Sequence, residues 1–127
     1  MNFSKKAEYG LRAVVFLAKN YPATKSVREI SLTENISAKY LEQLFVKLKK
    51  EKIVMSRKGK DGGYILCKKP DLIRVGRIIE ALEGPIKIMN CADKKCNSRK
   101  CQSKKVWLLL EKQIKQTLNK IKLSELI

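Results

Sequence analysis

The chain has 127 residues, with 29 Lys and Arg against 12 Asp and Glu, a formal net charge of +17, and no histidine. This length supports one domain with a modest core and excludes a separate catalytic domain beside a DNA-binding one. The missing histidine excludes zinc fingers of the Cys/His type and a Cys–His nucleophile pair.

Positive charge extends along the chain from Lys5 to Lys122 instead of forming a basic tail. Such a distribution favours an anionic polymer as partner, and a solvated lysine-rich surface is the alternative. Residues 1–9 carry no apolar signal core, and no apolar run approaches the roughly 20 residues that a membrane span needs. We therefore expect a cytoplasmic protein, in which the four cysteines are thiols or metal ligands rather than disulfides.

Two helices are predicted in the first third of the chain, the second of them short. Residues 4–20 carry apolar side chains at helical spacing and stop before Tyr21-Pro22. Ser26 stands three residues before Glu29, a capping-box pattern that opens a second helix. We expect the second helix to point Val27, Ile30 and Leu32 inward.

A third helix is expected after a tight turn, with Ser37 as its N-cap. Its apolar face is predicted at Leu41, Leu44, Phe45 and Leu48. Two short helices joined by a turn, the second with a polar and basic outer face, place a recognition helix in the major groove of DNA. That outer face consists of Lys39, Glu42, Gln43 and Lys47.

Two predicted strands follow, at residues 53–56 and 64–67, with a glycine-rich hairpin loop at 59–63. Arg57, Lys58 and Lys60 crowd the tip, where they can reach phosphates or the minor groove. A charged edge that prevents pairing with another strand is the alternative. The fold class is therefore mostly α with a small β-hairpin wing, a winged helix-turn-helix. We expect Cys67 to be a buried structural thiol at the end of the second strand.

The last part of the chain is predicted to contain a fourth helix, ended by Gly84-Pro85, and a long terminal helix. The terminal helix has an apolar stripe that needs a partner, either a second copy of the chain across a two-fold axis or its own domain. We favour a homodimer, which would read a palindromic operator. The expected organisation is 1–84 for DNA binding, 85–104 for a cysteine-rich loop, and 105–127 for dimerisation.

Three equally spaced cysteines, Cys91, Cys96 and Cys101, lie in the lysine-rich loop before the terminal helix. Thiolates are the ligands of iron–sulfur clusters, so the spacing indicates a sensor attached to a DNA-binding domain. Structural zinc is a second interpretation, although paired Cys-x2-Cys steps are absent. A thiol-redox switch is a third interpretation, because neighbouring lysines favour thiolates.

Other functional classes explain less of the sequence. A ferredoxin-like carrier would show Cys-x2-Cys steps. No acid–base pair, phosphate-cradling glycine loop or activated nucleophile can be assembled, so no enzyme is expected. A nonspecific architectural DNA-binding protein would fit the charge but would leave the capped recognition helix and the cysteines unexplained.

These motifs resemble the IscR and NsrR family of bacterial winged-helix regulators over nearly the whole chain. The resemblance rests on the three-cysteine loop and on three segments: Ser37-Ala38-Lys39-Tyr40-Leu41-Glu42-Gln43, Gly62-Gly63-Tyr64 and Val75-Gly76-Arg77-Ile78-Ile79. It implies a homodimeric transcription factor with a [2Fe-2S] or [4Fe-4S] cluster. The DNA-binding residues then expected are Ser37, Ala38, Lys39, Tyr40, Glu42, Gln43, Lys47, Arg57, Lys58, Lys60 and Tyr64.

The sequence departs from the family pattern in its sensor loop and wing. The cysteines follow a tighter Cys-x4-Cys-x4-Cys spacing, and Lys104 stands where some members supply a histidine ligand. The wing reads Gly59-Lys60-Asp61 where many members have Gly-Pro-Gly.

A fourth ligand is needed for a cluster iron. The resemblance implies Glu8, since an acidic residue at this place in relatives similar to NsrR reaches the cluster from the other subunit. An acid favoured by the helix dipole is the alternative role of Glu8. The further candidate ligands are solvent, a small thiol, Cys67, Asp93 and Gln102.

Overall fold

The structure is a computed structural model that describes residues 2–60, 62–88 and 102–127. Four helices and a hairpin precede the cysteine segment, and a long helix follows it. In chain order the elements are α1 (Lys5–Lys19), α2 (Val27–Glu34), α3 (Ala38–Lys50), β1 (Val54–Arg57), β2 (Gly63–Leu66), α4 (Val75–Glu83) and α5 (Lys104–Lys120). Single 3-10 turns lie at Pro70–Leu72 and Leu123–Leu126.

The helix-turn-helix is formed by α2 and α3, and both helices begin at the predicted caps. Ser26 Oγ accepts a hydrogen bond from Glu29 N at 3.1 Å, and the Glu29 carboxylate accepts one from Ser26 N at 2.9 Å. Asn35, in the left-handed conformation, ends α2. Ser37 Oγ accepts from Tyr40 N at the start of α3. The two predicted N-caps are therefore confirmed.

The wing is a two-stranded antiparallel sheet in which Val54 pairs with Leu66 and Arg57 with Gly63. Each strand is displaced by about one residue from its predicted position, so the tip spans 58–62. A main-chain bridge joins Lys25 to Tyr64, with N–O distances of 2.9 and 2.8 Å. The predicted fold class, mostly α with a small wing, is confirmed.

The main core lies between α1, α3 and α4 and includes the buried side chains of Leu17, Phe45 and Leu82. The prediction that Leu32 points inward is wrong, because this side chain is 75% exposed. Leu32 follows the buried Ile30 by two residues, a rotation of about 200° around a helix of 3.6 residues per turn. It therefore faces away from the core.

Among the described residues, the C-terminal half of α5 packs on its own domain. Ile114 and Leu118 are half-buried against the cluster that contains Val75 and Ile79, so this part of the apolar stripe packs on its own domain, which was the alternative to the dimer. The N-terminal half is open, and Val106 and Leu109 are 58% and 59% exposed. None of the described helices is long and apolar enough to cross a membrane.

Candidate nucleic-acid interface and cysteine segment

The outer face of α3 consists of polar side chains that make no side-chain hydrogen bonds with other described residues. Lys39, Glu42, Gln43 and Lys47 are exposed, and none has a side-chain hydrogen bond or ion pair to another described residue. Opposite them, the apolar face of α3 is fully buried. The core therefore fixes the orientation of α3 while its polar groups stay available for base edges or phosphates.

The first turn of α3 holds the remaining predicted contacts of this helix. Ser37 and Ala38 are exposed, whereas Tyr40 is half-buried. The Tyr40 ring meets the Tyr9 ring of α1 edge to face, with centroids 5.9 Å apart. Tyr40 therefore ties α3 to α1 and leaves part of its side chain exposed.

Lys58 and Lys60 at the wing tip are exposed, as is Arg57, the last residue of β1. Gly59 has a φ of 118°, a region that favours glycine, and its carbonyl accepts from Gly62 N at 3.0 Å. A Cβ on Gly63 would collide with the Lys25 backbone, which explains the glycine beside the bridge between Lys25 and Tyr64.

Tyr64, predicted to bind DNA, also has a structural contact within the chain. Its ring stacks on Phe45 of α3 with centroids 4.3 Å apart and planes 9° apart. Lys49 Nζ also lies 3.0 Å from Ser56 Oγ of β1. These contacts hold the wing against the recognition helix.

The residues that flank the cysteine segment lie close to α1. Ile88 N donates to Glu111 Oε1 of α5 at 3.2 Å, and Ile86 packs against Ala7. Ser4 N, just before α1, donates to Glu83 Oε1 at 3.0 Å. Residues 83–86, which precede the cysteine segment, therefore lie beside the beginning of α1, the helix that carries Glu8. Cys91, Asp93, Cys96 and Cys101 lie outside the described residues.

Glu8 is exposed on α1, where its carboxylate lies 3.4 Å from Lys5 Nζ. The negative charge of Glu8 is the main cause that raises the pKa of Lys5. An exposed ion pair of this kind is weak, so the carboxylate can exchange Lys5 for another partner. Glu8 also lines a cavity with Arg12 and Glu34, whose side chains form a 3.3 Å ion pair.

The prediction of a buried Cys67 is wrong, since Cys67 is exposed. It follows the last residue of β2, so the alternation of the strand no longer applies to it. Partial desolvation nevertheless raises the pKa of the Cys67 thiol, and the charges of Lys52 and Lys68 offset part of that rise. Gln102, another candidate ligand, is exposed before α5. No metal-binding group of three Cys, Asp or Glu side chains occurs within 2–60, 62–88 and 102–127.

A capped recognition helix followed by a basic-tipped wing defines a winged helix-turn-helix transcriptional regulator. The sequence model of the Rrf2 family, described as an iron-dependent transcriptional regulator, matches residues 3–127, and the chain belongs to this family. This result confirms the predicted resemblance. It also confirms that the protein is a regulator and not an enzyme.

Two groups of relatives illustrate the similarity. The chain is 34% identical over 127 residues to the HTH-type transcriptional regulator CymR of Bacillus subtilis (strain 168), covering 99% of this chain and 89% of CymR. It is also 34% identical over 130 residues to IscR of Erwinia tasmaniensis, covering 100% of this chain and 79% of that protein.

Solved structures of CymR and IscR proteins are also similar to this chain. The structure of CymR, described as the global cysteine regulator of B. subtilis, matches with a TM-score of 0.86 and 33% identity, covering 99% of this chain and 95% of that chain. The structure of T. potens IscR matches with a TM-score of 0.81 and 34% identity, covering 98% and 84%.

Proposed function

We propose that this protein is a homodimeric transcriptional regulator that binds a palindromic operator and is switched by an iron–sulfur cluster on Cys91, Cys96 and Cys101. The observation that carries the DNA-binding part is the capped α3, which lies beside a basic wing and whose outer face is polar, exposed and free of partners among the residues that the structure describes. The sensor part is supported by the three thiols in a chain of the iron-dependent Rrf2 family.

The DNA interface divides into base-reading and backbone-holding groups. Lys39, Glu42 and Gln43 have the donors and acceptors that base edges in the major groove require. Ser37, Tyr40 and Lys58 would hold phosphates or the groove rim, which fixes the register of the protein on DNA. Ala38, Lys47, Arg57, Lys60 and Tyr64 complete the proposed contact surface.

Dimerisation is supported by the open half of α5. Val106, Leu109 and Leu110 form an exposed apolar face on a helix whose other half already packs on the domain. The same face on a second copy would cover it across a two-fold axis, which would also set the spacing of two recognition helices. The C-terminal half of α5 anchors this face to α4.

The donor set fits an iron–sulfur cluster. Thiolates are the usual ligands of such clusters, and this chain offers three in one segment. Among the described residues the exposed Glu8 carboxylate pairs only with the exposed Lys5, so it is free to serve as the fourth ligand. A bound cluster would supply a group whose gain, loss or oxidation changes the local charge and order. Cys91, Cys96 and Cys101 would hold it between α4 and α5, and Glu8 would connect it to α1.

A second candidate sensor uses the thiols alone. CymR of B. subtilis is described as a global cysteine regulator, and Staphylococcus aureus CymR, 30% identical to this chain, has been solved in an oxidized form. In this mechanism Cys91, Cys96 and Cys101 respond to thiol oxidation without a metal. Zinc bound by the same thiols would be a third sensor, and a nonspecific architectural protein would need no sensor.

The absorption spectrum of protein purified without oxygen separates these candidates, with iron, sulfide and zinc assayed on the same sample. The proposed cluster gives visible charge-transfer bands with iron and sulfide present. Each of Cys91→Ser, Cys96→Ser and Cys101→Ser should abolish the bands, whereas Cys67→Ser should keep them. A colourless protein with zinc supports the zinc site, and a colourless protein without metal supports the thiol sensor.

Footprinting tests the regulatory role. A discrete footprint on one promoter supports an operator-binding regulator, whereas uniform coating supports an architectural protein. Equal operator affinity of the cluster-loaded protein and the triple serine variant would show that the cluster is not the regulatory input.

A further inference from the structure

A cavity of about 340 Å³ lies between the base of the wing and the beginning of α4. Its apolar walls are Ile53, Leu72 and Ile73. Its size falls within the range of small-molecule sites in proteins, roughly 300–1,000 Å³. The remaining lining residues are Lys52, Lys68, Arg74 and Arg77, and we call this site the basic cavity.

Four cations line the basic cavity, and no acidic side chain does. Among the described residues, none of the four pairs with a carboxylate. Glu51 and Glu80 border Arg77 on an adjacent cavity instead. Like charges gathered around a concave, partly apolar surface repel one another, so an anion in the cavity would lower the electrostatic energy.

The two arginines are held in position by backbone contacts. Arg77 Nη2 donates to Glu51 O at 3.2 Å, and Arg74 Nη1 donates to Lys120 O at 3.5 Å. A guanidinium has five N–H donors, so each arginine keeps donors for an oxyanion. Lys52 and Lys68 supply further charge from the wing side of the cavity.

The basic cavity is far from the proposed base contacts. The 13 residues of α3 span about 20 Å, and Lys52 lies beyond the end opposite Lys39. The four residues of β1 separate Ile53 from the wing tip by about 13 Å. This position favours a small ligand over DNA as the occupant.

We propose that the basic cavity binds a small oxyanion with at least two negative charges, carried by a phosphate or by two carboxylates. Such a ligand would bridge Lys52 and Lys68 at the wing base to Arg74 and Arg77 at α4. It would connect the wing to the C-terminal segment, because Val75 N donates to Ile121 O at 2.9 Å beside this site. The site contains none of Cys91, Cys96 and Cys101 and would give the regulator a second input.

Calorimetric titration of the full-length protein tests this proposal, with inorganic phosphate and citrate as probes at constant ionic strength. We expect saturable binding of at least one probe, which Lys68→Gln weakens about tenfold, the effect of one hydrogen bond to a charged group. Lys69→Gln is the matched control, because Lys69 is the exposed neighbour outside the cavity. The preferred probe distinguishes a phosphorylated ligand from a polycarboxylate.

Two outcomes would overturn the proposal. One is the absence of saturable binding of both probes, and the other is an equal loss in the Lys68→Gln and Lys69→Gln variants. Duplex DNA provides a further test. If the apparent affinity for the probe falls in proportion to the concentration of a short operator duplex, without a plateau, the two compete directly and the cavity belongs to the DNA interface; a change that reaches a plateau is the linkage expected of a separate regulatory site.

Cys67 offers an independent readout, because the charges of Lys52 and Lys68 lower its pKa against the effect of desolvation. A bound oxyanion would cancel part of that positive field, leaving less thiolate at a given pH. Peptide-resolved alkylation of Cys67 by iodoacetamide at pH 8 should therefore slow when the bound probe is present. An unchanged rate at a saturating probe concentration would contradict binding beside these lysines.

Discussion

The rings of Tyr9 and Tyr40 meet edge to face, with centroids 5.9 Å apart and planes at 87°. Tyr9 lies on α1, one residue after the candidate cluster ligand, and Tyr40 lies in the first turn of the recognition helix. Lys5 and Arg12 also lie 5.4 and 5.6 Å from the centre of the Tyr9 ring. One aromatic contact therefore joins the charged surface of α1 to the first turn of α3, which is proposed to contact DNA.

Replacing Tyr9 with Leu should remove the aromatic contact while keeping an apolar side chain. The free energy of unfolding should fall by about 1 kcal/mol relative to Tyr21→Leu, because an edge-to-face pair contributes about 0.5–1.5 kcal/mol beyond buried area. Urea unfolding of both variants measures the difference. Tyr21 is a suitable control because it is partly buried against the same core. Equal losses of unfolding free energy in the two variants would show that the contact between Tyr9 and Tyr40 adds no stability beyond burial.

Gln43→Ala should weaken binding to the cognate operator by about 1–3 kcal/mol and leave random DNA nearly unaffected, as expected for a base contact. Gln116→Ala, an exposed glutamine on α5, is the control. Fluorescence anisotropy with both duplexes gives the two affinities. An equal loss on both would assign Gln43 to the phosphate backbone.

Lys58→Ala should weaken binding to operator and random DNA alike. A lost phosphate contact reduces the dependence of log K on log salt by about one unit. Titrations over a range of salt concentrations measure this slope, with Lys112→Ala on α5 as control. An unchanged slope would place Lys58 away from the phosphates.

Leu109→Asp should dissociate the dimer without unfolding the subunit. The side chain is exposed within one chain, so the charge would be buried and unpaired only against a second copy. Sedimentation of the variant should report a monomer with native helical content. Leu32→Asp on α2 is the control, and a wild-type protein that is monomeric at micromolar concentration would contradict the proposed dimer.

Glu8→Ala should still assemble the proposed cluster, because three thiolates remain, but should lose it faster in oxygen. The decay of the visible bands after exposure to air measures this effect. Glu80→Ala, an exposed acid on α4, is the control. Equal rates of decay in both variants would show that Glu8 is not a cluster ligand. Its role would then be limited to its interactions with the helix dipole and Lys5.

Local signals in the sequence are sufficient to predict the helix-turn-helix. The caps at Ser26 and Ser37 depend on hydrogen bonds within one turn, so the residue pattern predicts them well. The errors at Leu32 and Cys67 also have local causes: the first ignored the rotation per residue of a short helix, and the second extended a strand by one residue.

Contacts between distant segments could not be predicted from the pattern. An apolar stripe on α5 indicates a buried face but does not identify its partner, so the sequence leaves open whether Ile114 packs on α4 or on a second copy. The bridge between Lys25 and Tyr64 uses main-chain atoms, which leave no side-chain signal. The basic cavity likewise combines residues from three separate parts of the chain.

The bridge between Lys25 and Tyr64 has a consequence for how operators are recognised. It fastens the beginning of α2 to the wing, and the stacking of Tyr64 on Phe45 fastens the wing to α3. We therefore expect the three parts proposed to contact DNA to move together, with little freedom to adjust to a poorly matching groove. A signal would then change the distance and angle between the winged helices of two subunits and not their internal shape. Its effect on operator affinity should therefore depend on the number of base pairs between the half-sites.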